Sequence, residues 1–439
     1  MLIQFSVQNY RSFREEQTLS LVAGKDGAHL DSLINCGGKF RLSKVASIYG
    51  ANASGKSNLV KAMKAMRDLI LVSATQMNLG DRIKFVSPFR LDTSTVQEPS
   101  RFEITLLIEG DIFVYGFSAT KEQVHDEWLF VQPQGKRSSK WLQRSRDKAS
   151  GVTSWAFRGP LKREACLLKE KTRDNGLVLS RAAELNIEAV TPLYLWFRKM
   201  FWSFDLSDPP TGLRQLTAER MNEDEEFLNR VIRFIREADF GIDSLSVKEG
   251  EWMQSVPDDA PKELHELREV FVNLQKLVSS EKVVRFSITT EHSLNDGETQ
   301  IPFSLEEDES NGTQRFFALA GPILSALSDG DLLVIDEIDC SMHPLLTRKV
   351  VELFQSPEEN TNGAQLIFTT HDSSVMDQTL LRRDQIWLTE KRANGSTELF
   401  SLYDFGADSR PRKDTAFEKN YLAGRYGAVP NFGPFFEDL

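Results

Sequence analysis

The alternation of apolar and polar residues predicts β-strands in the first third of the chain. Ile3, Phe5 and Val7 are apolar at every second position, which is typical of a strand with one buried face. The residues from Phe102 to Ile108 and from Phe113 to Phe117 alternate in the same way on either side of a Glu-Gly-Asp turn. This arrangement predicts a β-hairpin and therefore an antiparallel sheet.

Mostly apolar runs elsewhere have the pattern of strands that are buried on both faces. They occupy residues 45–49, 331–335 and 365–368. After the first run, apolar residues return at steps of four, three and four, which predicts one face of a helix; they are Leu59, Met63, Met66 and Ile70. The chain is therefore predicted to have an α/β fold with a mixed sheet and an antiparallel β subdomain.

The middle of the chain has a mainly helical pattern. Its apolar stripes at helical spacing are Phe227, Val231, Phe234 or Ile235, and Ala238 in one case, and Leu264, Leu267, Phe271, Leu274 and Val278 in the other. The second stripe predicts a core-facing helix, with a free coiled coil as the alternative. We predict three parts: the first half of the α/β core at 1–160, a mainly helical insertion at 161–284, and the second half of the core at 285–439.

Composition and charge change this picture only by what they exclude. Of the 439 residues, 40% are hydrophobic and 27% are charged, as in soluble globular proteins. No apolar run reaches the roughly 20 residues of a membrane span. The three cysteines are far apart and form no C-x-x-C motif, which predicts a cytoplasmic protein. We also expect no membrane partner. The net charge of −11 argues against a surface that attracts nucleic acid everywhere, but it allows a local basic groove.

The segment 136–173 departs from this acidic balance. Twelve basic residues are opposed there by three acidic ones, with three aromatic residues between them: Lys136, Arg137, Lys140, Arg144, Arg146, Lys148, Arg158, Lys162, Arg163, Lys169, Lys171 and Arg173; Asp147, Glu164 and Glu170; Trp141, Trp155 and Phe157. Such a segment can bind nucleic acid through phosphate contacts and base stacking. A solvated hairpin edge and a protein-binding surface are the alternatives.

The most specific motif follows the apolar run 45–49. Residues 50–57, Gly-Ala-Asn-Ala-Ser-Gly-Lys-Ser, match the phosphate-binding pattern G-x-x-x-x-G-K-[ST]. Lys56 is predicted to reach the β- and γ-phosphates of ATP, and Ser57 to hold Mg²⁺. A strand, a glycine loop and a helix N-terminus form an anion site, and a chance glycine-rich turn is the alternative. The predicted nucleotide contacts in this loop are Gly50, Asn52, Ser54, Gly55, Lys56, Ser57 and Asn58.

The other two apolar runs end in residues with catalytic chemistry. Asp336 and Glu337 end one run; Asp336 is predicted to hold Mg²⁺, directly or through water, and Glu337 to act as general base on the attacking water. His371 lies just beyond the other run and is predicted to contact the γ-phosphate or that water. All three are expected at the sheet edge where the phosphates bind. The alternative for the two acids is helix capping.

Two further segments are candidates for phosphate contacts. Arg11 and Phe13 follow the first strand and are predicted either to contact phosphate or base or to be ordinary turn and core residues. Ser310, Gly312 and Thr313 lie at the start of a predicted helix, where an anion is favoured. They are predicted to bind the nucleotide of a partner subunit, and a plain helix cap is the alternative.

In this order the motifs resemble the head of an ABC-class ATPase. The acid pair followed by Ile338-Asp339 resembles its Walker B motif and D-loop, and His371 resembles its switch histidine. Residues 310–314 resemble a divergent signature motif. The opening sequence Asn-Tyr-Arg-Ser-Phe at 9–13 is similar to the start of RecF, SMC and OLD-type ATPases.

The C-terminal part narrows the resemblance. The blocks 343–346, 383–387 and 421–430 resemble those of ABC-like ATPases from bacterial anti-phage operons, of the Rlo/abortive-infection type, with the PARIS, Septu and OLD-family ATPases as relatives. This resemblance implies a homodimer or higher homo-oligomer in which ATP lies between Lys56 of one subunit and the signature of another. It also implies a nucleotide contact by Asp339. The usual signature spelling Leu-Ser-Gly-Gly-Gln is missing. No clear Q-loop glutamine stands out, and residues 88–92 or Gln97 are the candidates for that region.

The resulting hypothesis is a cytoplasmic ATPase that uses ATP and Mg²⁺, senses infection and controls a separate toxic effector. We expect the effector to be a separate protein, because the chain has no metal-ligand cluster outside the ATP site, and we expect that protein to be a nuclease. The alternative is a RecF/SMC-like DNA repair or recombination ATPase that uses the basic segment on DNA. A transporter subunit is a third class, and its coupling groove and signature spelling are missing.

Overall fold

The computed structural model describes residues 1–37, 40–206, 211–251, 284–294, 299–405 and 416–430. The chain forms two units: Met1–Ser207 together with Ser325–Leu439, and Asp208–Leu324. The first unit contains the phosphate loop, the acid pair and His371. The predicted helical stripe at 264–278 lies outside the described residues.

A seven-stranded antiparallel sheet forms one layer of the first unit. Its strands, in spatial order, are β10 (Thr153–Phe157), β9 (Ser139–Arg146), β8 (Val124–Gln132), β7 (Asp111–Ala119), β6 (Ser100–Ile108), β1 (Leu2–Gln8) and β2 (Gln17–Ser20). The turn between β6 and β7 uses Glu109 and Gly110 at φ angles of 52° and 88°, which is typical of a tight hairpin. The predicted first strand and hairpin are therefore confirmed.

A six-stranded sheet carries the three apolar runs. Its order is β11 (Phe201–Asp205), β15 (Leu332–Asp336), β16 (Gln365–Thr369), β5 (Val45–Tyr49), β17 (Ile386–Lys391) and β18 (Thr397–Ser401). Neighbours from β11 to β17 pair in parallel, and β18 pairs antiparallel to β17. The predicted α/β fold, with a mixed sheet and an antiparallel subdomain, is confirmed. A small pair, β3 (Leu33–Asn35) and β4 (Arg41–Ser43), completes the strands described in this unit.

Helix α1 (Lys56–Val72) joins the two sheets of the first unit. It contacts strands of both sheets, and its predicted apolar face, Leu59, Met63, Met66 and Ile70, is buried in the core they share. The other described helices of this unit are α2 (Ala165–Lys171), α3 (Val178–Glu184), α4 (Thr191–Lys199), α8 (Pro344–Gln355) and α9 (Phe417–Leu422). Among the described residues, no helix is both long enough and apolar enough to cross a membrane.

The second unit combines helices with a three-stranded antiparallel sheet. Its elements are α5 (Thr211–Glu223), α6 (Glu225–Arg236), β12 (Ser244–Glu251), β13 (Val284–Ser293), β14 (Gln300–Ser304) and the first part of α7 (Asn311–Asp329). The side chain of Asp224 caps α6 by accepting from the Phe227 N–H at 3.0 Å. Phe227, Val231 and Ile235 are buried, which confirms the predicted face within this helix, whereas Ala238 lies beyond the helix end at Arg236.

The second unit, Asp208–Leu324, does not have the boundaries of the predicted insertion, residues 161–284. Strand β11 lies within the predicted insertion, yet it pairs along its whole length with β15 of the central sheet. Its sequence, Phe-Trp-Ser-Phe-Asp, is too short to show a strand period against the helical pattern around it. The chain therefore leaves the first unit only after residue 207.

Candidate functional site

The phosphate loop connects strand β5 to helix α1. Gly50 and Gly55 have φ angles of 148° and 116°, which residues with a side chain rarely adopt. A Cβ atom on Gly50 would lie 2.4 Å from the carbonyl oxygen of Thr389, and one on Gly55 would lie 2.3 Å from Thr397 Oγ1. Conformation and space therefore both require glycine at the two positions that the motif specifies.

Lys56 is the first residue of α1, and its ammonium group points back into the loop. Nζ donates to the carbonyl oxygens of Gly50 at 2.7 Å and Ala51 at 3.3 Å. Burial lowers the pKa of Lys56, and the negative charges of Asp336 and Glu337 oppose that shift. The cation is thus held inside the loop, where the phosphates of a nucleotide would become its partners.

Four hydroxyl side chains, which we call the hydroxyl brace, fix the backbone of the loop: Ser12, Ser54, Thr389 and Thr397. Ser54 Oγ lies 2.6 Å from Thr389 Oγ1. Thr397 Oγ1 donates to the Ser54 carbonyl at 2.6 Å and lies 2.8 Å from Ser12 Oγ. Asn58 Nδ2 also donates to Ser12 Oγ, at 2.8 Å. The brace ties the loop to β17, β18 and the turn after β1.

Ser12, Thr389 and Thr397 are not among the residues predicted to form the site. The available signals were weak: Ser12 stands between the two residues proposed as contacts, and Thr389 directly follows the apolar run 386–388. Thr389 is fully buried, so a polar residue there needs an internal partner. The partner is the phosphate loop, which only the pairing of β17 beside β5 reveals.

The acid pair is fixed by one buried threonine on the neighbouring strand. Thr369 Oγ1 donates to Asp336 Oδ1 at 2.6 Å and accepts from the Glu337 N–H at 2.8 Å. Asp336 and Thr369 are buried, and Glu337 is half-buried. Glu337 has a φ of 55°, in the left-handed region that is uncommon for residues other than glycine. Thr369 therefore holds a strained residue in one defined position.

His371 is exposed at the end of the segment that follows β16. Its backbone N–H lies 3.3 Å and 3.2 Å from the two carboxylate oxygens of Asp339, which accept from it. Asp339 belongs to the turn after the acid pair, closed by a hydrogen bond from the Cys340 N–H to the Glu337 carbonyl at 2.9 Å. The predicted nucleotide contact Asp339 thus links the backbone of His371 to the turn that begins at Glu337.

The predicted catalytic residues meet in a cavity of about 510 Å³, which we call the loop cavity. It is lined by Ser12, Asn52, Ala53, Ser54, Gly55, Lys56, Ser57, Asn58, Glu337, His371 and Lys391. A second cavity of about 1010 Å³ lies against the first part of the loop and is lined on its far side by residues of the C-terminal block, from Tyr421 to Pro430. We call it the C-terminal cavity. The structure therefore brings most of the predicted nucleotide contacts together.

Arg11 is not brought into either cavity. It has a φ of 50°, and its Nε donates to the Tyr10 hydroxyl at 3.3 Å. Phe13 is fully buried in the core of the first unit. Of the motif that begins at Asn9, it is Ser12 that lines the loop cavity.

The predicted signature residues belong to the second unit. Ser310 Oγ accepts from the Thr313 N–H at 3.2 Å and lies 2.9 Å from Thr313 Oγ1. Ser310 therefore caps α7, a helix of 19 residues. Ser310 is exposed and Gly312 is half-buried at this helix end. Their contact with a partner's nucleotide stays a prediction.

The structure divides the basic segment into structural and surface residues. Arg144 is only 1% exposed, and its guanidinium donates to the carbonyl oxygens of Gly176 at 2.8 Å and Asp174 at 3.1 Å. Its place among the surface cations was therefore wrong: it anchors a loop inside the first unit. Arg146 lies 3.6 Å from the Asp174 carboxylate, and Lys148 forms an ion pair with Glu98.

Eight cations of the segment are exposed: Lys136, Arg137, Lys148, Arg158, Lys162, Arg163, Lys169 and Lys171. Five of them, Lys136, Arg137, Arg158, Lys162 and Arg163, lie just before β9 or just after β10 in the sequence. Phe157, the last residue of β10, pairs with Leu142 near the start of β9. The N–H of the following residue, Arg158, donates to the Trp141 carbonyl at 2.9 Å, so Arg158 also lies beside the start of β9. The hairpin residues 136–138 precede the start of β9, so these cations lie toward the same end of the β9–β10 pair. The rings of Trp155 and Phe157 stack nearby, with centroids 6.0 Å apart.

The donor set at the phosphate loop fits Mg²⁺. Ser57 offers a hydroxyl and Asp336 a carboxylate, which are the hard oxygen ligands that Mg²⁺ prefers beside substrate phosphates. In the described ranges, no group of three or more His, Cys, Asp or Glu side chains could hold a metal ion. The residues present thus suit a metal held jointly by protein and nucleotide.

Comparison with known proteins gives one family match. The family described as "AAA domain, putative AbiEii toxin, Type IV TA system" matches residues 45–377, more than half of the 439-residue chain. The matched range begins at strand β5, before the phosphate loop, and ends after His371. A search of curated proteins gave no match.

Comparison with solved structures gives matches of low sequence identity. The SMC head domain from Thermotoga maritima is 14% identical, with a TM-score of 0.39, and the alignment covers 91% of this chain and 98% of that one. A structure titled as the recombination mediator protein RecF-ATPrS in the RecFOR pathway is 15% identical, with a TM-score of 0.35 and coverage of 91% and 98%.

Proposed function

The chain belongs to the AAA-domain family whose description names the AbiEii toxin and Type IV TA systems, and on that premise we propose that it binds and hydrolyses ATP. The observation that carries this proposal is the loop cavity. It combines a phosphate loop, Lys56, a carboxylate and an imidazole. These are the groups that phosphoryl transfer to water requires.

In the proposed reaction, the backbone N–H groups of the loop and Lys56 bind the β- and γ-phosphates. Ser57 and Asp336 would hold Mg²⁺, which when bound neutralises charge on those phosphates. Glu337 accepts a proton from the attacking water, because its carboxylate lines the same cavity as the loop. His371 contacts the γ-phosphate or the water. Asp339 supports this role by fixing the His371 backbone.

The decisive variant is Glu337→Gln, which keeps the shape of the side chain and removes the base. We expect it to bind ATP with near wild-type affinity and to lose turnover by at least about 100-fold. Exposed Glu359→Gln is the matched control and should hydrolyse ATP like the wild type. A Glu337→Gln chain that keeps full turnover would show that another group activates the water.

We also propose that the active form is a homodimer or higher homo-oligomer with ATP shared between subunits. The support is the resemblance of residues 310–314 to a signature motif and the exposed helix end at Ser310. Solution mass with and without ATP–Mg²⁺ tests it in the wild type and in Glu337→Gln. An ATP-dependent increase in mass, strongest in Glu337→Gln, is expected. If ATP does not change the mass of either the wild type or Glu337→Gln, the shared site is rejected and Ser310 has only the role of a helix cap.

For the biological role we propose control of a separate toxic effector, expected to be a nuclease, in anti-phage defence. The resemblance to ATPases of anti-phage operons and the toxin named in the family description support it. The test is phage challenge of cells that express the chain alone, the chain with the product of the adjacent gene, and the same pair with Glu337→Gln. Protection only by the unmodified pair is expected. Nuclease activity of the purified chain alone would contradict the proposal that the effector is a separate protein.

A second candidate function is a DNA repair or recombination ATPase of the RecF/SMC kind. The specific observation in its favour is the exposed cation cluster beside the stacked Trp155 and Phe157. DNA binding that weakens steeply with salt, and that falls when the charges of Arg137, Lys162 and Arg163 are reversed, would favour this function. Arg144 should not be used in this test, because reversing a buried charge would unfold the site itself.

A further inference from the structure

We propose that Lys391 is a second cation of the nucleotide site and that it binds the terminal phosphate of ATP. The proposal rests on the ATPase function proposed above. It assigns a phosphate contact to a residue outside the phosphate loop, the acid pair and the segment that carries His371.

The strand pairing places Lys391 on the face that bears against the loop. Lys391 is the last residue of β17 and lies opposite Thr397 of β18 in an antiparallel pair. Side chains of directly opposed residues lie on the same face of a sheet, and so do residues two apart on one strand. Thr389 and Thr397 both use this face to bind Ser54. Lys391 therefore follows two loop-binding threonines on the same side.

The cavities place its side chain at the phosphates. Lys391 lines the loop cavity together with Lys56, Glu337 and His371. It also lines the C-terminal cavity, and the residues common to both cavities are Asn52, Ser54, His371 and Lys391. The lysine thus lies where the two cavities join, beside the histidine expected to face the γ-phosphate.

The charges around Lys391 leave it available to an anion. Lys391 is exposed and forms no ion pair within the described ranges of the chain. Its neighbours are already engaged: Glu390 accepts from the Ala428 N–H at 3.2 Å, and Arg392 lies 2.7 Å from the Glu398 carboxylate. Lys56 is held by the carbonyl oxygens of the loop. A second cation beside the γ-phosphate would stabilise charge on its oxygens, where phosphoryl transfer needs it.

The test compares Lys391→Gln and Lys391→Arg with Arg392→Gln, a matched loss of one positive charge at the adjacent residue. Binding of ATP and of ADP, each with Mg²⁺, is measured by calorimetry, and ATP turnover is measured on the same proteins. Lys391→Gln should weaken ATP binding about ten-fold or more and ADP binding less than about two-fold. Lys391→Arg should restore most of the ATP affinity. Arg392→Gln should leave both affinities unchanged.

Each other result rejects a defined part of the reasoning. Unchanged ATP affinity in Lys391→Gln overturns the proposal, and equal losses for ATP and ADP overturn the assignment to the terminal phosphate. A change of equal size in Arg392→Gln would show a general charge effect of the hairpin and would also overturn it. If the wild-type chain binds no ATP, the proposed ATPase function fails first, and this proposal fails with it.

Discussion

Replacing Thr369 by valine removes one hydroxyl group from the centre of the site and keeps the volume of the side chain. That hydroxyl donates to Asp336 Oδ1 at 2.6 Å and accepts from the Glu337 N–H at 2.8 Å. Thr369 is fully buried, so water cannot take over either bond. Thr369→Val therefore leaves a buried carboxylate oxygen and a backbone N–H each without this partner.

The expected loss follows from these two bonds. A hydrogen bond to a charged group contributes about 1.5–3 kcal/mol, and a buried group left unsatisfied costs about 1–3 kcal/mol. Because relaxation recovers part of the sum, we expect the free energy of unfolding of this unit to fall by about 3 kcal/mol. Glu337 is strained at a φ of 55° and loses its restraint, so turnover should fall on the order of 100-fold through misplacement of the carboxylate.

The assay measures thermal unfolding and ATP turnover for Thr369→Val and for Thr369→Ser, which keeps the hydroxyl and should retain most of both properties. A double-mutant cycle with Glu337→Gln then separates the two effects. If Thr369 acts on turnover by positioning Glu337, then Thr369→Val should slow the Glu337→Gln chain very little further. Equal slowing in both backgrounds would refute the positioning argument and leave Thr369 with a structural role alone.

Two further outcomes follow from backbone strain and from a buried imidazole. Gly55→Ala should abolish ATP binding, measured by calorimetry, because its Cβ would lie 2.3 Å from Thr397 Oγ1 at a φ of 116°. Burial lowers the pKa of His125, whose ring nitrogens have no hydrogen-bond partner in the described part of the chain. The unfolded chain therefore binds more protons at this residue than the folded chain below about pH 6.5, so the free energy of unfolding decreases as the pH is lowered through that range. His125→Gln should reduce this pH dependence in thermal melts.

Period and motif were enough to predict the parts of the site that are local in sequence. The buried run 45–49 and the glycine pattern after it are contiguous, so one stretch of chain determines strand, loop and helix together. The same holds for Asp336, which ends β15, and for His371, which follows β16. Parallel pairing then brings these strand ends to one edge, as the alternation of strand and helix predicts.

The parts that could not be predicted depend on partners distant in sequence. Arg144 lies in a basic stretch of sequence that is typical of a surface. Its burial is explained only by the loop at 173–176, whose carbonyl oxygens accept its hydrogen bonds. Strand β11 is recognisable only from its pairing with β15. In both cases the deciding interaction is tertiary, and the local pattern is compatible with more than one structure.

The hydroxyl brace shows why the phosphate-loop motif does not by itself make a complete site. Ser12 and Thr397 are separated by 385 positions, yet their hydroxyl groups lie 2.8 Å apart, and that of Thr397 donates to the Ser54 carbonyl and fixes the loop from outside. Neutral hydroxyl groups suit this task, because they hold the backbone and leave the loop's positive potential to the phosphates. A fragment that ends before Thr389 would contain the motif, both acids and His371, but three brace contacts would be lost. We infer that the loop reaches its binding conformation only after β17 and β18 have joined the sheet, so that nucleotide affinity depends on the folding of the entire first unit.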